Sequence, residues 1–107
     1  MADLLVPLSS VSKQPLYNIK AACKRTKLTR ATLRAWERRY GVPAPDHARQ
    51  GYRLYSEHDL AILFWLLQQI GEGLSIGQGA RKLQSLLELG QDLQVINPSL
   101  ISDKMHR

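Results

Sequence analysis

The chain has 107 residues, of which 22% are charged, with a formal net charge of +6 and a single cysteine. That length supports one modest core, no run of residues nears the roughly 18 apolar positions of a membrane-spanning helix, and Asp3 falls early in a stretch without a basic leader or cleavage signature. One cysteine cannot close an internal disulfide, so a cytoplasmic protein is the simplest expectation and a disulfide scaffold is excluded.

The charge is sorted along the sequence. From Lys13 to Arg53 there are eleven Lys and Arg against Glu37 and Asp46, a balance of +9; from Leu54 to Arg107 there are four against six, a balance of −2. A basic half of this kind points to an acidic partner, nucleic acid ahead of an anionic membrane surface, because no long basic helix with a broad apolar face favours lipid.

In chain order, residues 1–15 combine two prolines with Ser9, Ser10 and Ser12 and show no sustained period, so they read as a flexible leader. A first helix is expected over Tyr17 to Arg25, with Asn18 as its cap and Ile19, Ala22 and Cys23 inward; Cys23 reads as a small core residue. After a tight connection, Thr29 to Tyr40 (TRATLRAWERRY) reads as a short basic helix. Thr29 caps it, and Gly41 with Pro43 stops it. Leu33, Trp36 and Tyr40 fall on one apolar stripe, while Arg30, Arg34 and Arg38 recur every four residues on another side. Two short helices joined this closely form a helix-turn-helix candidate, a weak signal when it stands alone.

The next stretch, VPAPDHARQGYRLYS, changes texture and reads as a small hairpin or wing with His47, Arg49 and Gln50 at its tip and Arg53 on its return strand. Strand alternation places at least one of Tyr52 and Tyr55 in the core. Ser56 then opens a third helix with Asp59 in a near-capping box, and Leu60, Leu63, Leu67 and Ile70 form its stripe. Ala61, Phe64, Trp65 and Leu66 make that helix apolar on further sides, which leaves two readings: it is central, or part of it meets another protein. Ser75 caps a fourth helix, Ile76 to Leu89, with Ile76, Ala80, Leu83 and Leu87 inward. The remainder, 91–107, reads as a tail, disordered or a linker.

The runs YNIKAACKRTKLTRATLRAWERRYGVPAP, GYRLYSEHDLAIL and GLSI, in that order and spacing, resemble the N-terminal DNA-binding domain of MerR-family transcriptional regulators. The AWERRYG variant is most similar to the branch that joins this domain to a cobalamin-binding light-sensing module. The resemblance covers Leu16 to Leu89 and implies a mainly α, winged helix-turn-helix domain over 16–90, with four helices and a small β-hairpin wing. It also implies that Arg34 contacts the DNA backbone, that Trp36 lies near DNA, and that the wing's GYR falls on Gly51, Tyr52 and Arg53, with Tyr52 and Arg53 the phosphate binders. The helical spacing turns Trp36 inward instead, so the two readings conflict there. Departures fall at His47, where the family's wing arginine is usual, at Arg49, where an acidic or polar residue is common, and at Ile62, Phe64 and Leu67, apolar where charge is frequent.

The expected function is sequence-specific binding of a double-stranded DNA operator as the DNA-binding domain of a bacterial transcriptional repressor, acting at the nucleoid. The candidate contacts are Arg30, Thr32, Arg34, Trp36, Arg38 and Arg39 on the helix and His47, Arg49, Tyr52 and Arg53 on the wing. No cofactor is expected within these residues, cobalamin being implied only for a C-terminal module; self-association is expected only of a full-length regulator. Two rivals stand beside this reading: an interaction module whose basic helix takes an acidic antirepressor or DNA mimic, and an architectural DNA protein of the excisionase type. Enzymatic activity is not expected, because His47, His58 and His106 are scattered and no metal spacing, phosphate loop or nucleophile motif accompanies them. Glu37 reads as an ion-pair partner for Arg34, Arg38 or Arg53.

Overall fold

A computed structural model describes residues 4–43 and 54–100. In chain order they form a strand β1 (Leu5–Pro7), a 3-10 turn (Leu8–Ser10), helices α1 (Ile19–Thr26), α2 (Arg30–Tyr40), α3 (Glu57–Gly71) and α4 (Ile76–Glu88), a strand β2 (Gln94–Ile96) and a second 3-10 turn (Pro98–Leu100). The mainly helical class and the four helices are those the sequence implies. The wing segment, with His47, Arg49, Tyr52 and Arg53, lies outside the described residues.

Each helix begins where a short polar side chain satisfies otherwise orphaned amides, worth about 1 kcal/mol per cap. The Asn18 side chain accepts from the Ala21 amide at 2.8 Å, and Thr29 Oγ1 from the Thr32 amide at 3.1 Å. Ser56 and Asp59 exchange bonds of 3.0 and 2.9 Å, so the aspartate completes the box as a glutamate would. Ser75 and Gln78 do the same at the start of α4. α1 ends on Lys27 and α2 on Gly41, both left-handed at φ 67°. Glycine adopts that conformation freely, whereas at Lys27 it carries a steric cost that the tight turn into α2 must outweigh.

α3 runs through the middle. Leu60, Leu63 and Leu66 are fully buried, and α3 packs against α1, α4, β2 and the second 3-10 turn. Ala22 of α1, Leu33 and Trp36 of α2 and Leu83 of α4 join it in one core. Of the two readings of its excess apolar surface, the structure takes the central one: Ile62 is buried, and Phe64 and Leu67 are partly buried against the core. On α4, Ala80 and Leu83 point inward as expected, but Leu87 is 46% exposed, because the core ends one turn before it.

The described parts of the two terminal segments, 4–15 and 91–100, are ordered against the core where a flexible leader and a tail are expected. β1 and β2 pair antiparallel with Val6 opposite Val95, and the Leu8 amide donates to the Leu93 carbonyl at 2.7 Å. Leu8, Val11, Leu93 and Val95 are core residues. Within the segments expected as a leader and a tail, β1 and β2 therefore clamp one another, with β2 against α3. Their apolar side chains supply the driving force, and three-residue strands offer too short a pattern to announce it. This sheet joins the two ends and is separate from the expected wing.

Candidate nucleic-acid interface

α2 owes its orientation to three buried residues on one side: Leu33 at 0%, Trp36 at 8% and Glu37 at 7% exposure. With 3.6 residues per turn, burying that side turns the opposite face out. Arg30, Arg34, Arg38 and Arg39 are all exposed. Trp36 sits where the helical spacing puts it, in the core. Thr32 is half-buried and structural at its backbone, since its amide serves the Thr29 cap, and Thr29 Oγ1 donates to Thr32 Oγ1 at 2.9 Å. The Thr32 hydroxyl keeps its own proton to donate outward.

Glu37 anchors α2 from beneath. Tyr55, 1% exposed, donates its hydroxyl to Glu37 Oε2 at 2.6 Å. Of the two wing tyrosines, Tyr55 is the core residue that strand alternation requires, while Tyr52 lies outside the described residues. Tyr55 also forms an antiparallel bridge with Tyr17, their amides and carbonyls meeting at 2.7 and 2.8 Å. The chain leaving segment 44–53 is thus tied to the foot of α1 by backbone and to α2 by a short charged hydrogen bond. Tyr17 carries the connection on: its hydroxyl donates to Glu57 Oε2 at 3.2 Å, and the Arg25 guanidinium lies 4.7 Å from its ring centre.

α2 lies between two neighbours, and its cations divide between them. Arg30 and Arg34 border α1, where Cys23 feels both. Burial pushes the Cys23 thiol above its ordinary value, and the positive charges of Arg30 and Arg34 partly offset that. A thiol so held stays protonated at neutral pH, in keeping with Cys23 as a packing residue. At the other flank Arg39 and Tyr40 line a groove of about 410 Å³ with Gly77, Ala80, Arg81 and Gln84 of α4. Arg81 is not among the residues that local sequence pattern marks. It sits in the half with negative balance, 42 positions beyond Arg39, and only the packing of α4 brings them together.

A helix-turn-helix whose second helix buries one side and shows arginines on the other defines a class of nucleic-acid-recognising regulators. Residues 17–86 match the family described as MerR HTH family regulatory protein, and the chain belongs to that family. It is 39% identical over 72 residues to the HTH-type transcriptional repressor CarH of Myxococcus xanthus, covering 67% of this chain and 24% of that protein. It is 35% identical over 69 residues to the HTH-type transcriptional repressor CarA of the same organism, covering 63% of this chain and 24% of CarA. It is also 30% identical over 63 residues to the HTH-type transcriptional regulator MlrA of Escherichia coli strain K12, covering 59% and 26%. The chain therefore spans about a quarter of the length of these relatives. Among the described residues no helix is long and apolar enough to cross a membrane.

Proposed function

We propose that this chain is a DNA-binding domain of a transcriptional repressor that acts in the cytoplasm, with α2 lying in the major groove of a duplex operator. The observation that carries the reading is the outward face of α2: exposed Arg30, Arg34, Arg38 and Arg39 opposite a buried Leu33, Trp36 and Glu37. Arg30 and Arg34 take backbone phosphates, Arg38 lies between the helix's flanks, where base edges are nearest, and Thr32 adds a hydroxyl donor. His47, Arg49, Tyr52 and Arg53 are proposed as phosphate contacts of the neighbouring wing, a role resting on sequence alone. Repression is proposed from likeness to CarH and CarA, each described as a repressor. Cobalamin is proposed only as ligand of a further module in a longer protein, and self-association only for that protein.

Selection of bound duplexes from a random library tests the reading. A recurring sequence of half-site length, enriched over the input, is the expected result. Enrichment of no sequence, together with no binding to random duplex at low salt, would overturn it and favour an acidic protein partner on the same face.

A further inference from the structure

The terminal ribbon is bonded to the seat of α2 through one continuous segment. β2 holds β1 by the ladder from Leu5–Ile96 to Pro7–Gln94, continued at its ends by the Leu8 amide on the Leu93 carbonyl and the Asn97 amide on the Leu4 carbonyl, each at 2.7 Å. Ser9 then clasps Asp92 with both its hydroxyl and its amide. Tyr17 follows eight positions after Ser9, and the chain between them is fixed on the way. Val11 is buried, the Ser12 carbonyl accepts from the His58 amide at 2.9 Å, and the Leu16 and Tyr17 amides both donate to the Tyr55 carbonyl at 3.0 and 2.8 Å. Tyr55 in turn donates to Glu37 beneath α2.

Two paired strands of three residues are not stable by themselves. The ribbon stands because Leu8, Val11, Leu93 and Val95 share the core with α3, on which β2 packs. Lifting β2 off α3 therefore uncovers Leu8, Leu93 and Val95 together, and the segment from Ser9 to Leu16 loses its anchor. The ribbon is also free to lift, since Leu4 and Leu5 are 70% and 53% exposed. α4 is held to α3 by contacts of its own: Ala80 and Leu83 are buried, and Lys82 Nζ donates to Gln69 Oε1 at 2.9 Å. Segments that share burial and backbone bonds in this way open as contiguous cooperative units.

We infer that the terminal ribbon is a strap: the ribbon, the segment 9–16 and the Tyr17–Tyr55 bridge open as one unit, so that drawing β2 off α3 loosens the seat of α2 and lowers duplex affinity. A pull or a competing partner acting on the chain near Leu100 is thereby felt at α2. The cooperative unit stands on the fold alone, and its effect on affinity rests on the DNA-binding reading above. Native-state hydrogen exchange of this 107-residue chain, followed by NMR at rising sub-denaturing urea, tests the unit. The amides of Leu8, Asn97, Tyr17 and Tyr55 are expected to share one protection level and one urea dependence, below those of Leu63 in α3. Val95→Ala should lower all four alike, by about tenfold, as the loss of two buried methyl groups implies. Tyr17 and Tyr55 amides that keep wild-type protection while Leu8 and Asn97 lose theirs, or that are protected as strongly as Leu63 in the wild type, overturn the inference. Fluorescence anisotropy tests the effect on affinity with Val95→Asn, a neutral polar side chain at a 1% exposed position. A strap open in about nine molecules of ten lowers duplex affinity about tenfold and leaves its salt slope unchanged, because no cation is lost. Wild-type affinity in a Val95→Asn chain whose ribbon amides have lost protection overturns the link to α2. If the wild type binds neither a selected nor a random duplex, the DNA reading fails and takes the affinity effect with it, while the exchange pattern still decides whether ribbon and bridge are one unit.

Discussion

The hydrogen bond from Tyr55 to Glu37 makes a demanding prediction. Tyr55→Phe removes one oxygen and leaves the ring, so packing is preserved while a buried carboxylate loses a donor at 2.6 Å. Hydrogen bonds to charged groups contribute about 1.5 to 3 kcal/mol, and a loss near the middle of that range, about 2 kcal/mol, is expected here because both partners are screened from water. For a domain of this size that corresponds to a fall in Tm of about 10 °C, with an unchanged denaturant m-value. The same bond sets the tilt of α2 relative to the chain that leaves segment 44–53. Duplex affinity should therefore fall without any change in salt slope, since no cation is lost. Melting within about 2 °C of the wild type would refute the assignment of Tyr55 as the anchor of α2.

Further outcomes follow from other contacts. Asp92 accepts from the Ser9 hydroxyl and from the Ser9 amide at 3.1 Å, and these bonds, the hydroxyl first, hold its carboxyl below the ordinary carboxylate range. A depressed carboxyl contributes stability that is present above its unfolded pKa and lost as pH falls through its folded pKa. Asp92→Ala should thus lower the urea midpoint at neutral pH, and the gap should close in acid; a gap that persists at about pH 2 contradicts the linkage. Gly77 sits in the first turn of α4, and a Cβ there would meet Tyr40 at 3.7 Å, an ordinary contact. Gly77→Ala is expected to raise stability by about 0.5 to 1 kcal/mol by thermal denaturation, and a loss would show that Tyr40 needs that space. Leu8, 3% exposed beneath the β1–β2 ribbon, should cost about 2 to 5 kcal/mol when changed to alanine; a cost under about 0.5 kcal/mol would mean the amino-terminal segment is not part of the fold.

Local chemistry was the legible part of this sequence. Thr29 and Gly41 bracket α2 because caps and left-handed stops act within a few residues, and the Ser56–Asp59 box marks the start of α3 for the same reason. The inward turn of Trp36 follows from helical period, and the packing of the core agrees with it. What the sequence hid depends on distant partners. β1 and β2 are three residues each, and the ladder between positions 5 and 96 exists only once α3 offers a surface for Leu8 and Val95. Leu87 matches its stripe in period yet lies beyond the core's edge, a fact of depth that periodicity does not encode. Arg81 carries no local signal at all, since its partner on the candidate site, Arg39, lies on a different helix.

The central claim, that the outward arginines of α2 bind a polyanion, is tested most directly by the salt dependence of duplex affinity. If about four phosphates are neutralised, log affinity should fall against log salt with a slope near −3.6, and Arg34→Ala should make it shallower by about 0.9 for every sequence alike. Affinity that does not change between about 50 and 200 mM salt, or a loss in Arg34→Ala confined to one operator position, would contradict it.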